Sequence, residues 1–358
     1  PNPLDEAFID DFESSKRTTS LNMLFRQWKL SSAPEDSINT SLNNQNRGDM
    51  FWYNPEADTY VTDIWPNKST SIRPDQNTIK TLYIETNFES SMDNQKVWNG
   101  VTVPLFTSDY DQSQSKYLDI WLNANEVEDE LLRLHIDIGF INEDADADGK
   151  LDTEDEDVYG GGLGDGYLSD AEDIGIDHCT DSYEDGWGGC LCESYSNDIY
   201  NVESLEAIYN YSIGDTLFEY CTDGITYEQA SYENPSLINS NIWINTDDPN
   251  GDNWDWTSGS SDFSMVNGTE GNGQTIRYPD TEDLDNNFSL DEINDYFSIT
   301  INPLEKADGG QSMVLTETED NGIPTGWKLF RIPLAQFNKL GESVDWSEVR
   351  SARLWFDS

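Results

Sequence analysis

Leu132, Leu134, Ile136, Ile138 and Phe140 alternate with Arg133, His135, Asp137 and Gly139, a period-two pattern that predicts a strand with one buried face. Five further runs share its character: 81–88 (TLYIETNF), 117–122 (YLDIWL), 297–301 (FSITI), 327–334 (WKLFRIPL) and 349–356 (VRSARLWF). Each is short, β-branched or aromatic, and bounded by Asn, Asp, Gly or Pro. Many short strands separated by such turns predict an all-β chain, and within that class a jelly-roll-like β-sandwich. Helical signals are confined to a weak segment at 202–211 and a single turn at 289–294.

The strand signals stop near Ile141 and resume at Ser298. The predicted organisation follows: residues 1–142 form the first part of the sandwich, 143–297 an acidic insertion, and 298–358 the closing strands. A connection this long rarely stays ordered unless something supports it.

Within the insertion, the run from Asp144 to Asp155 has the spacing of an EF-hand-type calcium loop. Asp144, Asp146 and Asp148 occupy positions 1, 3 and 5, and their oxygens converge on one ion only if the backbone turns sharply, as Gly149 at position 6 permits. Lys150 would offer its carbonyl, Leu151 an apolar contact, Asp152 position 9, and Asp155 position 12 in place of the usual Glu. Charge alone requires neither the alternation nor the glycine. A second run keeps Asp283, Asp285, Asn287, Ser289, Leu290 and Asp291 at positions 1, 3, 5, 7, 8 and 9, with Phe288 in place of Gly. Half a motif remains in Asp165, Gly166, Leu168 and Glu172. Asp248, Asn250 and Asp252, and Asp181 with Asp185 and Gly186, are weaker candidates, because Asx-rich turns also form without ions. Together these runs suggest two or more calcium ions.

Composition sharpens this reading. The 19 Lys plus Arg against 71 Asp plus Glu give a net charge of -52, which repels nucleic acid and anionic membranes and sets both aside as partners. Bound calcium or ambient salt would offset part of the self-repulsion, and a salt-adapted surface is the plainer alternative. Aromatic residues make up 12% of the chain, too many for a disordered acidic tail. No stretch approaches the roughly 18 apolar residues of a membrane-spanning helix, and Pro1 opens a segment without a signal-peptide core, so a mature or excised soluble piece is expected. Cys179, Cys190, Cys192 and Cys221 all lie in the insertion, where two disulfides fit an oxidising, calcium-rich compartment. Three pairings are open. A zinc site on His178, Cys179, Cys190 and Cys192 is the sharper alternative, although it lacks a C-x-x-C pair.

Catalytic signals are scarce, and no enzyme is expected. The two histidines, His135 and His178, form no H-E-x-x-H pair, and there is no G-x-S-x-G elbow. Gly160 to Gly162, Gly164 and Gly166 mimic a phosphate loop, but the acids around them would repel phosphate.

Several motifs, in order along the chain, resemble the SprA family: 7–13 (AFIDDFE) with Trp28 to Leu30, Leu134 to Gly139 running into the Asp-rich loop, 267–272 (NGTEGN), Tyr278 to Leu284, Phe330 to Pro333, and Arg350 to Trp355. The resemblance implies a soluble segment of a very large outer-membrane translocon of type IX secretion, also linked to gliding motility. It further implies a place on the extracellular side of a bacterial cell surface, with the rest of that assembly as partner. The opening acidic motif followed by a Trp also resembles calcium-binding jelly-roll carbohydrate modules. A glycan-binding module or adhesin is therefore the alternative.

Overall fold

The structure, a computed structural model, describes residues 20–35, 42, 47–66, 77–88, 97–105, 111–127, 129, 131–147, 149–155, 164–169, 172–177, 179, 181–186, 191, 226, 228, 231–232, 238, 247–257, 259–266, 277–308 and 312–357. In chain order its elements are β1 (Lys29–Leu30), β2 (Asp49–Tyr53), β3 (Thr59–Tyr60), a short α1 (Val61–Ile64), β4 (Thr78–Ile79), β5 (Tyr83–Asn87), β6 (Trp98–Pro104), β7 (Tyr117–Asn123) and β8 (Arg133–Phe140). There follow β9 (Asp295–Ile301), β10 (Val314–Asp320), β11 (Ile323–Pro333), β12 (Asn338–Leu340) and β13 (Ser351–Asp357). All six strand runs read from the hydrophobic pattern are present.

The fold is all-β and sandwich-like. A six-stranded antiparallel sheet has the order β1-β6-β13-β8-β9-β12, and a three-stranded sheet the order β10-β11-β7. Val101 and Val103 of β6, Leu134, Ile136 and Ile138 of β8, and Phe297, Ile299 and Ile301 of β9 form one apolar face. They share a core with Phe330 and Ile332 of β11 and with Phe25, Trp28 and Trp52. Burying each such side chain contributes roughly 1.5–3 kcal/mol. Two-stranded ladders β2-β5 and β3-β4 complete the sheets among the described residues.

The opposite face of β8 corrects the expectation of a single buried face. Asp137 and Arg353 are wholly buried there, with His135 and Trp355 nearly so. Arg353 donates from Nε and Nη2 to Asp137 Oδ2 at 2.8 and 2.7 Å, Trp355 Nε1 donates to the same oxygen at 3.0 Å, and Arg353 Nη1 reaches the Ser32 carbonyl at 3.3 Å. His135 stacks on Trp355 with ring centroids 3.5 Å apart. The polar residues of the alternation therefore face a second, hydrogen-bonded core rather than water, a burial tolerable only because the charges are paired.

The expected helical turn at 289–294 is absent. Glu143 holds that segment in place from across the structure, donating its N–H to the Asp291 carbonyl at 3.0 Å and accepting the Asp291 N–H on Oε2 at 3.0 Å. The segment 202–211 lies outside the described residues.

The buried pair yields a contrast to measure. Asp137→Ala leaves the Arg353 charge buried and unpaired and should cost about 3–5 kcal/mol. Asp119→Ala, which breaks the half-exposed pair with Arg331, should cost less than about 1 kcal/mol. Urea denaturation of the two variants checks the difference, and equal losses would contradict the assignment of a polar core behind β8.

Candidate metal centre

Antiparallel pairing of β8 with β9 ends at Phe140↔Asp295, so the exit of β8 and the entrance of β9 lie side by side. The two best calcium motifs sit at this end, one leaving β8 and the other leading into β9. Ser32 donates to the Asn142 carbonyl at 2.6 Å, and Asn142 Oδ1 accepts the Asp144 N–H at 3.0 Å, fixing where the first loop starts.

The two loops share left-handed backbone at positions 4 and 6. In the first, positions 4 and 6 are Ala147 and Gly149, with φ of 69° and 79°; in the second they are Asn286 and Phe288, with φ of 59° and 60°. The position-6 N–H donates to the position-1 carboxylate in both: Gly149 to Asp144 Oδ2 at 3.1 Å and Phe288 to Asp283 Oδ2 at 2.9 Å. Phe288 therefore takes the left-handed turn that glycine makes without strain, a conformation costing a non-glycine residue of order 1–3 kcal/mol.

Each loop is closed by a glutamate from the other. Glu282, directly before Asp283, accepts the N–H groups of Ala145 at 2.5 Å and Asp152 at 3.1 Å, which are positions 2 and 9 of the first loop. Glu143, directly before Asp144, accepts those of Leu284 and Asp291 at 3.0 Å each, positions 2 and 9 of the second. Reciprocal backbone bonds follow the same symmetry. Glu282 N donates to the Asp152 carbonyl and Glu154 N to the Asp280 carbonyl, both at 3.0 Å, around the antiparallel bridge Thr153↔Thr281.

Two carboxylate sets result, Asp144 with Asp146 and Glu282, and Glu143 with Asp283 and Asp285. Within each, one oxygen per residue lies within 4.8 Å of the others. Asp144 is only 8% exposed, and its Oδ1 has no hydrogen-bond partner. Burial pushes Glu282 up to about 8, with Asp146 and Asp152 adding repulsion, and Glu143 up to about 7, with Asp285 and Asp291 adding to it. Lys29, held below its ordinary value by burial, faces Asp280, Glu154 and Asp283. Arg47 donates to the Ala145 carbonyl at 2.6 Å while lying over the Trp98 ring, tying the first loop to β6.

The predicted site residues are thus divided. Asp144, Asp146, Asp283 and Asp285 converge, and Asp152 and Asp291 join through their backbone N–H groups. Asn287 donates its N–H to Asp283 Oδ1 at 3.0 Å, Ser289 is exposed in the second loop and Lys150 in the first, and Asp148 lies outside the described residues. Asp155 instead accepts the Gly166 N–H at 2.9 Å. Asp165 and Glu172 make local bonds to Tyr167 N and Ser169 N and join no carboxylate set among the described residues. Cys179 is wholly buried, whereas His178, Cys190, Cys192 and Cys221 lie outside the described residues. Sequence reasoning missed Glu143 and Glu282, although each stands immediately before the first Asp of its loop.

No family model matches the chain, and no curated protein matches it.

The raised glutamates fix a pH dependence. A carboxylate whose folded pKa exceeds its ordinary 4.5 stabilises the fold fully below 4.5. That contribution is lost as pH rises through about 7 for Glu143 and about 8 for Glu282, at about 1.4 kcal/mol per pH unit for each group. In chelator, stability should fall between pH 5 and pH 8, and Glu282→Gln should flatten the slope. Thermal melts across that range test this, and a stability that rises with pH in chelator would contradict it.

Proposed function

We propose that the paired loops bind calcium and that the chain is a calcium-stabilised, jelly-roll-like structural segment of a bacterial cell-surface assembly. The observation that carries the calcium reading is the exchange of Glu143 and Glu282, which completes two all-oxygen carboxylate sets of related geometry. Oxygen-only donors suit a hard cation rather than zinc, and several carboxylates crowded at one point suit calcium. Asp144, Asp146 and Glu282 would hold one ion, and Glu143, Asp283 and Asp285 the other. The charge such an ion supplies offsets the repulsion that burial imposes on these acids.

Two disulfides belong to the same proposal. Cys179 is wholly buried and has no free thiol, which supports an oxidised insertion. A structural segment of a SprA-like surface assembly is the proposed context on the strength of the ordered motifs. The rest of that assembly would be the partner, on the extracellular side of the outer membrane. Among the described residues no Trp is exposed, whereas Tyr60, Tyr83, Tyr117, Tyr167 and Tyr232 are, so there the glycan-binding alternative would stack sugars on tyrosine rather than tryptophan. No helix of the described residues is long and apolar enough to cross a membrane.

Calcium should therefore raise the melting temperature and a chelator lower it. An ion that binds only the native state adds about 2.7 kcal/mol at a hundredfold excess over its Kd, and Asp144→Ala should remove most of one site's share. Differential scanning fluorimetry across calcium and chelator titrations is the test. An identical melting temperature throughout would remove calcium from the account.

A further inference from the structure

Away from the paired loops, the 3-10 turn Asp181–Tyr183 delivers Glu184 to a position of zero exposure, against a turn at Asp248 to Asp252. One carboxylate oxygen each of Glu184, Asp248 and Asp252 lies within 4.8 Å of the others. The backbone occupies one side of two of these groups. Glu184 Oε2 accepts the Asn250 N–H at 2.7 Å, and Asp248 Oδ1 accepts the N–H groups of Gly251 at 2.9 Å and Asp252 at 3.2 Å. Their other oxygens, Glu184 Oε1 and Asp248 Oδ2, are buried and have no hydrogen-bond partner, on side chains 0% and 1% exposed.

An unpartnered carboxylate oxygen in the interior costs several times a normal hydrogen bond, and two beside a third acid multiply that cost. Among the described residues, the cations of the cavity beside Asp252 face other acids: Lys29 faces Asp280, Glu154 and Asp283, and Arg47 faces Asp146 and Glu282. The acids that face Glu184, Asp177 and Asp181, add negative charge. The turns are nonetheless built firmly: the Asn250 side chain donates to Asp177 Oδ2 at 2.7 Å and accepts the Gly186 N–H at 2.8 Å. This is the arrangement of Asp144, in which one oxygen is fixed by the backbone and the other is left to an ion.

We infer that Glu184, Asp248 and Asp252 form a further calcium site that fastens two turns of the insertion, distant in sequence, to each other. Of the three acids, Asp252 also lines a cavity of about 80 Å³, together with Asp177 and Asn250 from the insertion and Lys29, Arg47 and Asn99 from the strand side. The site's residues come from two turns that meet far from the β8–β9 junction in sequence. An ion there closes the two turns on each other, as the exchanged glutamates close the paired loops. The inference extends the calcium reading of those loops to a site with separate ligands.

The test is the calcium content of the whole chain, by native mass spectrometry, for wild type, Glu184→Gln, Asp248→Asn and Glu282→Gln. Glu184→Gln and Asp248→Asn should each hold one ion fewer than wild type. Glu184→Gln combined with Glu282→Gln should hold fewer than either alone. A count that falls with Glu282→Gln but stays at the wild-type value with Glu184→Gln and Asp248→Asn overturns the further site and leaves the paired loops standing. A count that falls only with Glu184→Gln and Asp248→Asn does the reverse. Melting in chelator supplies a second readout: Gln keeps an acceptor for the Asn250 N–H without the buried charge, so Glu184→Gln should melt at or above wild type there, and below it in calcium. Equal losses in calcium and chelator would make Glu184 a backbone acceptor only and overturn the proposal.

Discussion

The exchange of Glu143 and Glu282 between two loops is the interaction on which the acidic half of this fold depends. β8 and β9 are neighbours in the six-stranded sheet, yet the chain between Phe140 and Asp295 is long and acidic and carries no strand element among the described residues. Pairing between the strands fixes one end of that connection. The reciprocal glutamates fix the next layer outward, because Glu282 holds three N–H groups of the first loop and Glu143 two of the second, and neither loop can shift alone. Closing a long connection costs only slightly more entropy than closing a short one. The larger obstacle is electrostatic: Glu143, Asp144, Glu282 and Asp283 are all nearly removed from water.

That obstacle explains why calcium and architecture belong together in the account. Buried acids without a counter-charge favour their protonated forms, as the upward displacement of Glu143 and Glu282 shows. A cation would relieve this at the first loop, where a backbone N–H already holds Asp144 Oδ2 and leaves its Oδ1 without a partner. Loss of an ion from one loop would loosen the glutamate that closes the other. Two sites joined in this way should fill together rather than singly. In a chain of net charge -52 they would anchor the insertion and reduce its self-repulsion at once.

Much of the fold could be read from the sequence, and the reasons for the gaps are physical. β8 and β9 alternate visibly because one of their faces is aliphatic. β6 went unread because Trp98–Pro104 is buried along its whole length, so it carries no alternation. Its Gly100 looks like a turn residue, but a Cβ there would lie 2.7 Å from that of Trp355, and the glycine serves close packing of β6 on β13. In the loops, the positions legible by spacing were those supplied by the loop's own Asp residues. Glu143, Glu282 and Glu184 act across large sequence separations, which no local spacing reports. A Glu-Asp step stands at 143–144, 184–185 and 282–283, but it also occurs at 35–36, 128–129, 154–155, 156–157, 172–173 and 319–320 and so selects none of them. Phe288 shows the converse, since the loop keeps its left-handed turn without the glycine its motif demands.

A crystal structure grown in calcium, with the ions located by anomalous scattering, tests the central claim most directly. The account predicts one ion held by Asp144, Asp146 and Glu282 and a second by Glu143, Asp283 and Asp285, each glutamate reaching across from the other loop. An ion bound by the first loop's own residues through Asp155, with Glu282 turned away, or no ion at either loop at saturating calcium, would contradict it.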